Sequence, residues 1–472
     1  MRAKSGSWLL SLASKPFESL FIVLLLLLPS QLGKHFWPPY AFIGGLRVDY
    51  LSPTLYLSDI IVLLLFIEVF PLLLRRLKIR FIVPLILIFL YLGLVSFYSP
   101  WPQSSLLGVL RIVEVIFVGW LIGHFISTKR LFIPSAVALS SAMITTTALS
   151  VWQFFLQHSV GGLWYWVGER SFSVLTPGIA NANLSGNLIL RPYGTFPHPN
   201  VLGGYAVILT CYLLYFGVKT SNRLVRSIII VAICSGILTT IITMSRTAIL
   251  VLGLILCLWV FKRISKGLRH ALFILMGVVL LIGLLYVSGV YTRFSTMRIT
   301  DEAVVMRAAL VKQAAQIFGE NQLVGVGVSN FLPSLALQID PMHTYRNLQP
   351  VHSLYLLILV EAGLIGALLF IIGTGVSLYK IYYSRTYRVE KTILFFSLLL
   401  LGLTDHYLYT LHQGQLLIAF VLGITLAPFG SHDFTDPEAK NRGILSQRSI
   451  TKKPVPSSSL KIPRTRNARR KK

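Results

Sequence analysis

The chain holds 472 residues, of which 55% are hydrophobic and 12% charged, with a mean hydropathy of +0.73. A soluble domain carries about a quarter charged residues, so roughly half the charge that water demands is missing, and the apolar residues gather in runs too long for soluble core helices. This excludes a soluble enzyme, a secreted disulfide scaffold, a disordered chain and, for want of short alternating segments, an outer-membrane barrel.

The sequence predicts an all-α polytopic membrane protein with twelve spans, each near the ~20 residues a bilayer requires. They fall at about 17–33, 53–74, 81–98, 105–126, 131–156, 199–218, 227–244, 246–261, 271–289, 352–379, 392–409 and 412–429. Ahead of the first lie Arg2, Lys4 and Lys15; after it comes Pro29-Ser30-Gln31-Leu32-Gly33-Lys34, with no small-x-small cleavage site. A retained anchor is expected.

Formal charge is +27, from 43 Lys and Arg against 16 Asp and Glu. Counted from a cytoplasmic N-terminus, every second connection together with the C-terminal tail carries 32 of those 43 basic residues. That bias is the positive-inside pattern and puts both termini in the cytoplasm. It also explains most of the charge without nucleic acid. The tail 430–472, ending Arg469-Arg470-Lys471-Lys472, reads as a disordered basic segment on anionic lipid beside a single membrane domain over 1–429. Cys211, Cys234 and Cys257 all fall inside apolar runs and are expected to behave as small buried hydrophobes.

The spans are nearly free of ionisable groups. The exceptions are Glu68, Arg111 with Glu114, Arg246, Glu361 and Asp405. Arg111 and Glu114 stand three apart on one helix, where they can pair. No carboxylate and histidine relay crosses the bilayer, and no inverted repeat of broken helices is visible, which argues against a transporter.

The residues able to do chemistry gather instead in two long loops on the extracytoplasmic side, about 157–198 and 290–351. Long ordered loops are usually functional. The first ends in Arg191-Pro192-Tyr193-Gly194-Thr195-Phe196-Pro197-His198-Pro199-Asn200, a turned approach to the sixth span. Arg191 near the free N–H groups of that helix start would make an anion site; as a lone interfacial residue it would instead snorkel to lipid phosphate. Trp164, Tyr165 and Trp166 in the same loop suit either sugar stacking or an interfacial aromatic belt.

The hairpin between the seventh and eighth spans turns at Thr243-Met244-Ser245-Arg246-Thr247, where an arginine is costly and either snorkels or serves a buried anion. In the second loop, 303–318 is expected to form an amphipathic helix with Val304, Ala308, Val311, Ala315 and Phe318 on one face and Arg307 and Lys312 on its flanks. Gly325-Val326-Gly327-Val328-Ser329-Asn330-Phe331 follows, without the strand and helix context of a nucleotide loop. His343, Arg346 and His352 close the loop. An imidazole at the mouth of a span suits proton transfer, although a hydrogen-bonded structural histidine is the commoner case. Asp301, Glu302, Asp340 and His343 share the loop without a metal-ligand spacing, so no metal is expected.

Four patches then read together. The segment Arg191–Gly204 resembles the "R…GTF.HPN.LGG" stretch of the O-antigen ligase and polymerase superfamily. Ser245-Arg246-Thr247 is similar to its Ser-Arg turn, Arg307 through Gly325–Phe331 to its "R…GVG.NF" stretch, and His352 through Glu361–Gly366 to its "H..YL…E.G.IG" helix start. The likeness covers about 190–370. It implies a GT-C-like membrane glycosyltransferase in the plasma (inner) membrane, moving a glycan from undecaprenyl diphosphate to an acceptor hydroxyl on the outer side. The acceptor would be lipid A–core or another glycan, and no metal, nucleotide or other cofactor is implied. By matching positions, Arg191 and Arg246 would hold the donor diphosphate and His352 would activate the acceptor, with Arg307, Arg346, His198 and Asn200 as further candidate contacts. A repeat-unit polymerase differs from a ligase in its acceptor alone. A lipid-linked glycan flippase and a non-catalytic assembly subunit are the rivals from other classes.

Overall fold

A computed structural model describes residues 15–76, 79–184, 187–217, 220, 222–263, 302–338 and 348–429. The predicted ninth span, Asp301, Asp340, His343, Arg346 and the basic tail lie outside them.

Helices occupy the other eleven predicted segments. They are α1 (Lys15–Leu26), α2 (Leu57–Arg76), α3 (Ile79–Phe97), α4 (Pro102–Ile126), α5 (Lys129–Leu156), α6 (Pro199–Tyr215), α7 (Arg223–Ile242), α8 (Arg246–Arg263), α11 (Leu354–Tyr382), α12 (Arg388–Gly402) and α14 (His412–Leu426). Between α8 and α11 come α9 (Glu302–Glu320) and α10 (Phe331–Gln338), and the single turn α13 (Tyr407–Thr410) precedes α14. Among the described residues four helical stretches, Pro102–Ile126, Arg130–Leu156, Arg223–Ile242 and Leu354–Tyr382, are long and apolar enough to cross a membrane by length and composition.

Helix α6 is the axis of the bundle. It is apolar on all sides and buried along its length, as such a helix must be, and α5, α7, α8, α12 and α14 pack around it. Helices α4 and α14 cross at small residues. A Cβ on Gly123 would lie 2.6 Å from the Gly423 carbonyl oxygen, and one on Gly119 would lie 3.1 Å from that of Ala419. Gly119 and Gly123 are one turn apart, the spacing that lets two backbones approach without intervening side chains.

Several boundaries differ from the sequence reading. The first helix ends at Leu26, because residues 33–56 turn through two small antiparallel hairpins, β1 (Gly33–His35) with β4 (Thr54–Tyr56) and β2 (Phe42–Ile43) with β3 (Leu46–Arg47). The span expected at 392–409 stops at Gly402 and leaves 403–406 as a connector. Helix α11 is broken at Gly363, whose φ is +62°.

The amphipathic helix exists as α9, but its buried face is not the expected one. Leu310, Ala314 and Ile317 are buried, while Ala308, Val311 and Ala315 are exposed. Both stripes are apolar. The winner is the one that meets Ile43 and Leu51 of the hairpin segment, Phe331 of α10 and Leu357 of α11 in one hydrophobic cluster. Arg307, three residues before Leu310, is itself exposed. The cysteines also need correcting: Cys211 is buried, Cys257 half-buried and Cys234 exposed, since α7 and α8 turn part of their surface outward and α6 does not.

Candidate functional site

The first loop reaches the bundle through a backbone lock. Gln153, buried near the end of α5, accepts hydrogen bonds at Oε1 from the Tyr193 N–H (3.0 Å) and the Gly194 N–H (2.7 Å). Its Nε2 donates to the Gly194 carbonyl at 2.9 Å. Gly194 supplies the φ of +58° that this turn requires. The hairpin β5 (Asn181–Leu184) with β6 (Asn187–Leu190) delivers Arg191 just ahead of the turn.

Arg191 is 7% exposed. Its Nε donates to the Thr243 carbonyl at 2.8 Å, and Nη2 donates to Asn200 Oδ1 at 2.7 Å. The guanidinium therefore joins the α7–α8 turn to the start of α6. Arg246, half-buried, is the first residue of α8, three positions beyond Thr243. The same turn touches the connector 403–406, since the Thr247 and Thr404 hydroxyls lie 2.7 Å apart. The arginines expected to act together thus sit on adjoining segments of one end of the bundle.

His198 has a defined local role. It is the N-cap of α6, its Nδ1 accepting from the Asn200 N–H at 3.1 Å, with Pro199 at the first helical position. Burial and the neighbouring Arg191 charge push this imidazole down to about 3, so it stays neutral. Asn200 has two jobs: its side-chain oxygen receives Arg191 and its Nδ2 donates to Asp405 Oδ2 at 2.9 Å.

Asp405 leads to the histidines. The His406 N–H donates to Asp405 Oδ1 (2.8 Å), and His406 Nδ1 lies 2.7 Å from the Thr410 hydroxyl. The His406 and His352 rings meet edge to face with centroids 5.2 Å apart. His352 stands two residues before α11, whose N-cap is Ser353, and its Nδ1 is buried with no hydrogen-bond partner among the described residues. Burial, and then the positive charge of Arg307, hold the His352 imidazole below its ordinary range, although Asp405 pulls the other way. His406 is pushed down to about 4, first by burial. Burial opposes ionisation of Asp405, but the surrounding imidazoles and the Asn200 amide outweigh it and keep the carboxyl below its usual range.

The structure thus brings Arg191, His198, Asn200 and His352 into one chain of contacts, with the Arg246 turn beside it and Arg307 close enough to act on both His352 and His406. Arg346 falls outside the described residues. Sequence reasoning missed His406 and Tyr50, whose ring lies 5.7 Å from that of His406, and named Asp405 only as an ionisable exception. An Asp-His pair in an apolar run was the available signal, since such residues in a membrane chain mark function by default. Tyr50 offered none.

Two other polar groups resolve as architecture. Glu361 accepts from the Ser329 N–H (2.6 Å) and the Phe331 N–H (3.0 Å), so the glycine-rich stretch docks on α11 and α10 starts on a carboxylate. Among the described residues, Asp59, Glu114 and His412 have metal-like proximity, with donor atoms within 4.8 Å. Arg111 already bridges the two carboxylates, at 2.8 Å from Asp59 and 2.5 Å from Glu114, so a cation there would compete with a guanidinium.

No curated protein matches the chain. A family model described as O-antigen ligase matches residues 229–371, a stretch that begins after Arg191 and contains Arg246, Arg307, His352 and Glu361. That segment makes the chain, a helical membrane protein, similar to the O-antigen ligase and polymerase superfamily over that stretch.

Proposed function

We propose that this protein is a metal-independent glycosyltransferase that moves a glycan from undecaprenyl diphosphate to an acceptor hydroxyl at the outer face of the plasma membrane. The observation that carries the reading is the pairing of a neutral imidazole with buried guanidinium charge. His352 Nδ1 lacks a partner among the described residues, and Arg191 is joined to its neighbourhood through Asn200, Asp405 and His406.

In the reaction the acceptor oxygen bonds to the anomeric carbon while the bond from that carbon to the diphosphate breaks. The bonding pair leaves with the diphosphate, and the hydroxyl proton passes to His352. Guanidinium is permanently charged and bidentate, so Arg191 and Arg246 together can stabilise the departing diphosphate where other enzymes use a metal ion. A lowered proton affinity keeps His352 in its base form at neutral pH. Arg307 and Arg346 would add contacts to diphosphate or sugar, and Asn200 would orient Arg191.

The test is reconstitution in proteoliposomes with undecaprenyl-diphosphate oligosaccharide and lipid A–core, without metal or nucleotide. Transfer that is lost in Arg191→Ala, Arg246→Ala and His352→Ala supports the reading; retention in all three overturns it. Transfer to a second lipid-linked repeat instead of lipid A–core would mark a polymerase, and movement of the lipid without bond formation would mark a flippase.

A further inference from the structure

The turn after α5 holds large apolar side chains away from the protein. Leu163 is 86% and Trp166 68% exposed, and Tyr165 and Val167 beside them are exposed too. All four belong to a short 3-10 turn, Gly162–Val167. The patch continues from the last turns of α5, where Trp152 is exposed and Phe155 is 77% exposed.

What holds the turn is polar and buried. Glu169 Oε1 accepts from the Val160 N–H and from Gln153 Nε2, both at 2.7 Å, and Oε2 accepts from the Gly161 N–H at 2.7 Å. The Ser30 hydroxyl donates to the Val167 carbonyl at 2.8 Å. Gly168, at φ +103°, closes the turn where a Cβ would lie 2.7 Å from the Gln31 nitrogen. A loose loop would fold its apolar side chains inward; here a buried carboxylate with three N–H donors keeps them out. Gln153 is also the residue that fixes the backbone of Tyr193 and Gly194. The apolar turn and the segment bearing Arg191 therefore share one anchor.

We propose that residues 162–167 form a membrane lip. Leu163, Tyr165 and Trp166 insert into the interfacial layer of the bilayer at the end of α5, and the Glu169–Gln153 pair transmits that depth to Arg191. The occupant is lipid because α5, over Arg130–Leu156, is long and apolar enough to cross a membrane, so its exposed C-terminal end marks the edge of the hydrocarbon. Trp and Tyr beside Leu are the side chains that suit this layer, apolar in body with one polar tip. The consequence for Arg191 rests on the donor reading above: a lipid-borne diphosphate would meet the guanidinium at headgroup depth.

The test replaces Cys211, Cys234 and Cys257 with alanine, introduces Trp166→Cys, and labels it with an environment-sensitive fluorophore in proteoliposomes. Blue-shifted emission, quenched by shallow nitroxide lipids more than by aqueous iodide, supports the lip. Quenching by iodide alone overturns it, and protection from both quenchers overturns it in favour of a protein covering the patch. A second measurement uses Leu163→Ser with Trp166→Ser. A several-fold rise in donor KM at unchanged kcat is expected in bilayers, and an unchanged KM would sever the lip from Arg191. Retained turnover in Arg191→Ala would remove the donor reading and leave the quenching result standing, so the two failures are distinguishable.

Discussion

Two arginines in this molecule, Arg111 half-buried and Arg191 buried, are held in different ways. Arg111 sits against two carboxylates, Asp59 and Glu114, with its second nitrogen on the Thr54 carbonyl and its guanidinium over the Tyr56 ring. His412 stacks on the same Tyr56 at 4.1 Å. Its charge is neutralised within the wall of the bundle. Arg191 is held by a carbonyl and an amide, both neutral, and reaches Asp405 through Asn200. These two bonds fix the Arg191 guanidinium through neutral acceptors, whereas Arg111 is fixed through carboxylates. The first arrangement makes a joint; the second is the one that the proposed function assigns to the donor diphosphate.

The largest expected effect falls on neither arginine. His352→Ala should lower kcat by about 10²–10⁴-fold, the range general-base removal costs, with donor affinity little changed; single-turnover kinetics on preloaded donor checks this. Arg191→Ala should cost about 10²–10³-fold, as loss of a charge-stabilising donor does, and should weaken donor binding as well. Arg111→Ala is the contrast. It strands two half-buried carboxylates and should lower unfolding free energy by at most about 3–5 kcal/mol, while turnover per folded molecule holds. Equal activity losses in the two variants would erase the distinction.

A smaller effect sharpens the comparison through pH. On the proposed reading His352 is the base and must be neutral to act, so kcat/KM should fall as pH drops through its pKa. Because that pKa is held below the ordinary imidazole value of ~6.5, the acid limb should lie below that pH. Burial is the main cause and the Arg307 charge adds to it. Arg307→Gln should therefore move the limb upward, toward the ordinary value. A limb that stays put would mean that Arg307 does not act on His352 in the working enzyme.

Much of the fold was legible because its signals are local. Long apolar runs, the Pro-His-Pro-Asn start of α6 and the i,i+3 pair of Arg111 and Glu114 depend on near neighbours in sequence. What escaped depends on partners far away. Leu310, Ala314 and Ile317 are the buried stripe because the segment around Ile43 and Leu51, α10 and α11 meet them in one cluster. His406 becomes part of the site only when α12 ends at Gly402 and the connector turns it toward His352. Tyr50 comes from a segment with no motif, carried to the site by packing alone. The arginines and His352 stood out in the sequence because charge at a membrane boundary is costly enough to be conspicuous in any register.

The smallest predicted effect concerns one of the few ionisable residues within a predicted span. Glu361 lies within a span, yet its oxygens are taken by the Ser329 and Phe331 N–H groups. The break at Gly363 frees backbone for the same contact: the Val360 and Glu361 carbonyls accept from Val326 at 3.1 Å and Gly327 at 2.8 Å. Irregular backbone at this depth is tolerated because it is satisfied by protein. Glu361→Gln keeps one acceptor oxygen and turns an amide N–H₂ toward a backbone donor, so it should cost about 1–3 kcal/mol of unfolding free energy. Turnover per folded molecule should stay close to the parent, since no part of this lock touches His352 or Arg191. Denaturant unfolding in detergent alongside transfer assays separates the outcomes: lost transfer at full stability would make Glu361 a participant in the chemistry.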